Sequence, residues 1–231
     1  MTDLPERLRG GLIVSVQAGE GSPLDDPTII AALAAAAQAN GAVAVRVEGV
    51  ADLRAVRARV SLPTIGLIKR RYPGFDPYIT ATIADVRAVS ETGVEIVAFD
   101  ATGRPRPDGA TDADIVAAIA AAGCIAMADC ATAADARRAS AAGAAILATT
   151  LCGYTEQTHG RALPALDMLP ELAACGAFTI CEGGVARPEQ LRAALDAGAD
   201  AVVVGTAITN IDWLVRSFAG SADTVPNGYP C

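Results

Sequence analysis

The 231-residue chain is 52% hydrophobic and 19% charged, enough apolar material for a sizeable core and too much for global disorder. Its net charge of −8 argues against a nucleic-acid partner, which would need a basic face. No apolar run reaches about 18 residues and Met1 to Gly10 has no hydrophobic leader region, so neither a membrane span nor a secretory signal is expected.

From Leu12 onward one pattern repeats: a short apolar, β-branched run, turn residues, an alanine- and leucine-rich helical stretch, then glycine or asparagine. The pattern predicts strands over Leu12–Val16, Ala42–Val47, Thr64–Lys69, Glu95–Phe99, Cys124–Ala128, Ala144–Ala148, Ala177–Cys181 and Ala201–Val204. It predicts helices over Thr28–Ala39, Ala51–Ala58, Thr82–Thr92, Thr111–Ala122, Ala131–Ala142, Ala165–Ala174, Pro188–Ala197 and Ile208–Phe218. Strands this continuously apolar are buried on both faces, as parallel strands are. Eight such units point to an α/β fold of the TIM (β/α)8 type, in one domain over residues 1–218, with a loose tail over 219–231. A doubly wound open sheet is the competitor, but no G-x-G-x-x-G lies between Val14 and Pro27. Six cysteines (Cys124, Cys130, Cys152, Cys175, Cys181 and Cys231) form no C-x-x-C pair and are expected to be free thiols in a cytoplasmic protein.

Chemistry in a TIM barrel sits at the C-terminal ends of the strands. Those positions hold Gln17, Arg46, Lys69, Asp100, Asp129, Thr149 with Thr150, Glu182, and Gly205 with Thr206. Of the 18 basic residues only Lys69 is a lysine. Arginine stays protonated at working pH, whereas lysine becomes a base once burial or a neighbouring cation lowers its pKa. Lys69 and Glu182, on opposite sides of the ring, are therefore the candidates for acid–base work, with an ion pair across the barrel mouth as the alternative. Arg46 is placed to lower the Lys69 pKa or to hold a substrate oxygen. Asp129 either orients substrate hydroxyls or caps the helix near Thr132. Glu182-Gly183-Gly184 and Gly205-Thr206 suggest an anion site of backbone amides on adjacent strands. Tyr78 and Tyr154 either line the pocket or pack locally. His159, the sole histidine, reads as a loop residue, and no metal site is expected.

Several segments, in order along nearly the whole chain, carry a resemblance. They include Leu12-Ile13-Val14-Ser15-Val16-Gln17-Ala18, Ile65-Gly66-Leu67-Ile68-Lys69-Arg70, Tyr78-Ile79-Thr80 and Asp100-Ala101-Thr102 with Arg104-Pro105-Arg106-Pro107. Met127-Ala128-Asp129, Thr149-Thr150-Leu151, Glu182-Gly183 and Val204-Gly205-Thr206-Ala207-Ile208-Thr209 follow. In these the chain resembles the N-acetylmannosamine-6-phosphate 2-epimerase family. The resemblance implies a TIM-barrel isomerase, a homodimer, that epimerises a small phosphorylated amino sugar at carbon 2 through an enediolate, in amino-sugar and sialic-acid catabolism, without metal or organic cofactor. It places catalysis on Lys69 and Glu182 and substrate contacts on Gln17, Arg46 and Asp129. The family usually carries arginine where this chain has Gly184 and Asn210, which removes two cations from the expected phosphate site; Arg187 is the nearest replacement in sequence. Two other functions fit the same pocket: a lyase or synthase using Lys69 as a Schiff-base nucleophile, and a sugar-phosphate-binding regulator without turnover.

Overall fold

The computed structural model of the chain describes residues 4–19 and 21–220. Eight parallel strands close into a barrel in the order β1-β2-β3-β4-β5-β6-β7-β8. They are β1 (Leu12–Val16), β2 (Ala44–Glu48), β3 (Thr64–Leu67), β4 (Ile96–Asp100), β5 (Ile125–Asp129), β6 (Ile146–Ala148), β7 (Phe178–Glu182) and β8 (Ala201–Val204). The helices are α1 (Leu4–Leu8), α2 (Pro27–Ala39), α3 (Val50–Arg57), α4 (Ile83–Ser90), α5 (Asp112–Ala121), α6 (Ala133–Ala141), α7 (Leu169–Ala173), α8 (Pro188–Asp196), α9 (Thr206–Thr209) and α10 (Ile211–Ala219).

Two apolar layers hold the barrel. Ile13, Ala44, Ile65, Ile96, Met127, Ile146, Phe178 and Ala201 belong to an inner cluster that fills the lumen. The next residue along a strand turns outward, so Val14, Val45, Val97 and Leu147 pack against the helices. Leu8 of α1 is fully buried in the inner cluster and closes the barrel's base. The inward side chains therefore have a fixed parity. It runs 13-15 on β1 and on to 17, 44-46 on β2, 65-67 on β3 and on to 69, 125-127-129 on β5, 146-148 on β6 and on to 150, and 178-180-182 on β7. Each series starts apolar at the base and ends polar at the mouth.

Local chemistry sets most helix starts. In α5, Thr111 Oγ1 accepts from Asp114 N at 3.2 Å and Asp114 Oδ2 accepts from Thr111 N at 2.8 Å. Thr132 and Asp135 repeat this capping box at α6. Asp26 caps α2 and Thr82 caps α4.

Three of the predicted elements are corrected. The stretch 208–218 is two helices: α9 starts at Thr206 and ends at Thr209, and Asn210 Oδ1 accepts from Trp213 N at 2.9 Å to begin α10. The segment 165–174 opens as a 3-10 turn at Leu166–Met168 before α7. Regular β3 ends at Leu67, and Lys69 lies just beyond it, in an antiparallel bridge with Ile79. The helix α1 had no counterpart in the predicted elements. The expected tail over 219–231 lies outside the described residues from 221 onward.

Candidate active site

A cavity of about 640 Å³ opens at the C-terminal end of the barrel. Gln17, Arg46, Lys69, Tyr78, Tyr154, Glu182, Gly183, Gly184, Gly205 and Thr206 all line it. Asp129 does not: it lies beneath the floor with no exposed surface. Ser15, Thr150 and Trp213 also line the walls; Thr150 is a strand-end residue to which the sequence assigns no role, and Ser15 and Trp213 are not among the candidates, although Ser15 and Thr150 have the inward strand parity. His159 and Arg187 are exposed and stand outside the lining.

The centre of the site is Arg46, whose side chain is 1% exposed. Its Nη2 donates to Asp129 Oδ2 at 2.6 Å and its Nη1 to Asp129 Oδ1 at 3.2 Å, while Nη1 rests 3.7 Å from Met127 Sδ. Its Nε lies 3.2 Å from Glu182 Oε1, within ion-pair reach of that carboxyl but without the alignment of a hydrogen bond. Asp129 thus gives both oxygens to Arg46, and the cap of α6 is Thr132, not Asp129. Lys69 makes no ion pair with Glu182; Arg46 takes that carboxylate instead.

Lys69 is aimed by a folded-back loop. Thr80 N donates to Ile68 O at 2.7 Å, Thr80 Oγ1 accepts from Ile68 N at 3.2 Å, and Arg70 N donates to Tyr78 O at 2.8 Å. Thr80 holds φ +42, a left-handed value that a β-branched residue rarely adopts, and it does so fully buried. The Lys69 Nζ donates to Gln17 Oε1, and Gln17 Nε2 donates to Ser15 Oγ at 2.5 Å, which fixes the amide's orientation. Lys69 is reachable from solvent through the barrel mouth, yet protein crowds its ammonium. Desolvation and then the Arg46 charge lower its pKa from 10.5, against the opposing pull of Glu48, Glu182 and Asp129. A neutral amine can donate one N–H to Gln17 and keep its lone pair free.

Glu182 moves the other way. Burial raises its pKa to about 7, outweighing the attraction of Arg46. Burial, followed by the carboxylates of Asp129 and Asp100, also raises the pKa of the Tyr78 phenol, which stays neutral.

The β7–β8 side of the cavity carries no cation; Arg46 and Lys69 are the cationic groups among the lining residues. Gly183 has φ +105 and Gly184 φ +74, so both favour glycine. A Cβ at Gly184 would sit 2.3 Å from Leu163 Cβ, leaving no room for a side chain there. Asn210 is committed to capping α10.

A parallel barrel with a deprotonable lysine and a proton-holding glutamate facing one cavity is the plan of a TIM-barrel enzyme that moves protons. Residues 30–224 match the family NanE, described as "Putative N-acetylmannosamine-6-phosphate epimerase", and the chain belongs to that family. It is 46% identical over 224 residues to a putative N-acetylmannosamine-6-phosphate 2-epimerase of Synechococcus elongatus, covering 95% of this chain and 97% of the relative. A relative of the same name from Klebsiella pneumoniae is 45% identical over 215 residues, with 92% and 90% covered. The solved structure of the N-acetylmannosamine-6-phosphate 2-epimerase from Clostridium perfringens superposes with a TM-score of 0.91 at 38% identity, covering 95% of this chain and 96% of that one.

The raised Glu182 pKa has a consequence for stability. A carboxyl whose folded pKa lies above its unfolded value of 4.5 contributes stability that is complete below pH 4.5 and is lost as pH rises through about 7. Glu182→Gln, which never ionises, is therefore expected to gain stability relative to wild type as pH rises from about 4.5 to about 7 and to hold that gain at higher pH. Urea unfolding at several pH values checks this; a gap that narrows with rising pH contradicts it.

Proposed function

We propose that this protein interconverts N-acetylmannosamine 6-phosphate and N-acetylglucosamine 6-phosphate by proton transfer at carbon 2. The observation that carries the reading is the placement of Lys69 and Glu182 on the β3 and β7 sides of one cavity, in a chain of this family. Strands 3 and 7 are four positions apart in a ring of eight, so their ends look at a bound sugar from opposite faces.

The sugar reacts as its open-chain aldehyde. The neutral Lys69 nitrogen takes the proton from carbon 2, and the C–H electron pair moves into a C1–C2 double bond while negative charge collects on O1. Carbon 2 bears an acetamido nitrogen and no hydroxyl, so the intermediate is an enolate; the enediolate implied by the resemblance is corrected on that ground. Arg46 and the lysine ammonium left after proton transfer stabilise the oxyanion. Protonated Glu182 returns a proton to the opposite face and inverts the centre. The pair carries one proton in total at the start and at the end, so the same site runs in reverse with the roles exchanged. Gln17 orients the amine, and Asp129 acts through Arg46. Tyr78 and Tyr154 flank the sugar. The backbone amides of Gly183, Gly184, Gly205 and Thr206 supply neutral donors for the phosphate, where no cation is available.

Free thiols at Cys130, Cys152 and Cys181, all buried, suit a reducing cytoplasm, and the reaction belongs to amino-sugar and sialic-acid catabolism. The assembly is a homodimer in this reading. Helix α10 has no buried residue, and Val215 and Phe218 are 59% and 77% exposed. An apolar helix face this open is covered by a second copy.

Proton NMR with N-acetylmannosamine 6-phosphate in heavy water tests the chemistry: the gluco epimer should appear with deuterium at carbon 2. Lys69→Arg keeps the charge and removes the base, and should slow exchange by about 10²–10⁴-fold. Near-wild-type exchange in that variant, or product without deuterium, sinks the assignment. For the assembly, sedimentation should give a dimer that Phe218→Ser shifts toward monomer; a wild-type monomer at working concentrations contradicts it.

A further inference from the structure

Thr150 touches two acids at once. Its Oγ1 lies 2.7 Å from Asp129 Oδ1 and 3.0 Å from Glu182 Oε2. A hydroxyl has one proton, so it donates to one carboxyl and must accept from the other. Asp129 is the ionised partner. It is bonded through both oxygens to the guanidinium of Arg46, and the Thr150 contact to it is the shorter of the two. The second contact is then a hydrogen bond only if a proton sits on Glu182 Oε2.

We propose that Thr150 is a positioning residue that donates to Asp129 and accepts from protonated Glu182, and so holds Glu182 as an acid in the resting enzyme. Rotation about the carboxyl C–O bond redirects that proton to bound sugar. The neighbouring Thr149 fixes the backbone of the same acid: its Oγ1 donates to Glu182 O at 2.8 Å and accepts from Glu182 N at 3.0 Å. The charged groups around Glu182 come from every side of the mouth. They are Arg46 on β2, Lys69 beyond β3 and Asp129 on β5, with the neutral Tyr78 phenol on the folded-back loop near Arg46. Arg46 and Lys69 favour the carboxylate; Asp129 and burial favour the acid. A Thr150 hydroxyl that donated to the Glu182 carboxylate would join the first set and lower the pKa; with its one proton given to Asp129 it joins the second, because a hydrogen bond accepted from the neutral form raises a carboxyl pKa.

The direction of one shift decides between these. The measurement is the infrared band of the protonated carboxyl in heavy water, titrated across neutrality on the whole protein, with Glu182→Gln as the subtraction. In Thr150→Val the Glu182 midpoint should fall by about one pH unit, the size expected for a lost hydrogen bond, and Thr150→Ser should restore it. Thr150→Ala serves where the valine variant misfolds, and thermal unfolding checks both. A midpoint that stays or rises in the hydroxyl-free variants overturns the proposal, as does the absence of a Glu182 acid band in wild type. In the exchange assay, Thr150→Val should move the corresponding limb of the pH–rate profile the same way and lower kcat more than it changes KM. The proposal rests on the acid–base reading of Glu182, but the infrared titration needs no substrate. Failure of the protein to turn over the sugar would therefore count against the proposed reaction and leave this result standing.

Discussion

Arg46 carries a permanent charge in the middle of the barrel, and the active site is built around that fact. A buried guanidinium needs partners, because removing one member of such a pair costs about 3–5 kcal/mol. Asp129 supplies both oxygens from β5 and Glu182 supplies one from β7, so a single side chain ties strands on three sides of the ring. The lumen below it is apolar, with Met127 directly in contact. That floor keeps water out from beneath and makes the fixed charge felt above.

Two titratable groups then read the same cation with opposite outcomes. For Lys69 the guanidinium is a like charge, and it adds to desolvation to favour the neutral amine. For Glu182 it is an opposite charge, but burial and Asp129 outweigh it and the carboxyl keeps its proton to about pH 7. A base without its proton and an acid with one are what a stereo-inverting proton exchange needs at neutral pH. The phosphate end of the cavity follows different rules. Leu163 packs where a side chain at Gly184 would start and Asn210 is spent on a helix cap, so recognition there falls to backbone amides.

Much of this was legible in the chain because strand parity converts sequence into direction. Arg46, Lys69, Asp129 and Glu182 each follow an apolar residue two positions earlier that points into the lumen, Gln17 continues the series of Ile13 and Ser15, and so all five point inward at the mouth. The same parity marks Thr150, whose importance came only from its two distances. What the chain hid were contacts between distant segments. Asp129 is equally plausible as a cap or a ligand until Arg46 is seen to occupy it. Trp213 reaches the cavity because Asn210 ends one helix and starts another, a break that Asn210 with Asp212 in the next turn does signal. Lys69 lies past the end of β3 and is placed by the strained Thr80, twelve residues after Ile68, a pairing that no periodicity predicts.

Catalysis at this site depends on Arg46 and the surrounding protein keeping Lys69 ready to act as a base. The chain's single lysine makes a direct test possible: protein carrying ¹³C-labelled lysine gives one side-chain ε-carbon signal, whose shift follows protonation. Titration by NMR in the folded protein, and again in urea, compares the native amine with its unfolded self. The native midpoint should lie below the unfolded one, which is near 10.5. A native midpoint equal to or above the unfolded value would leave Lys69 a charged ammonium and contradict its role as the base.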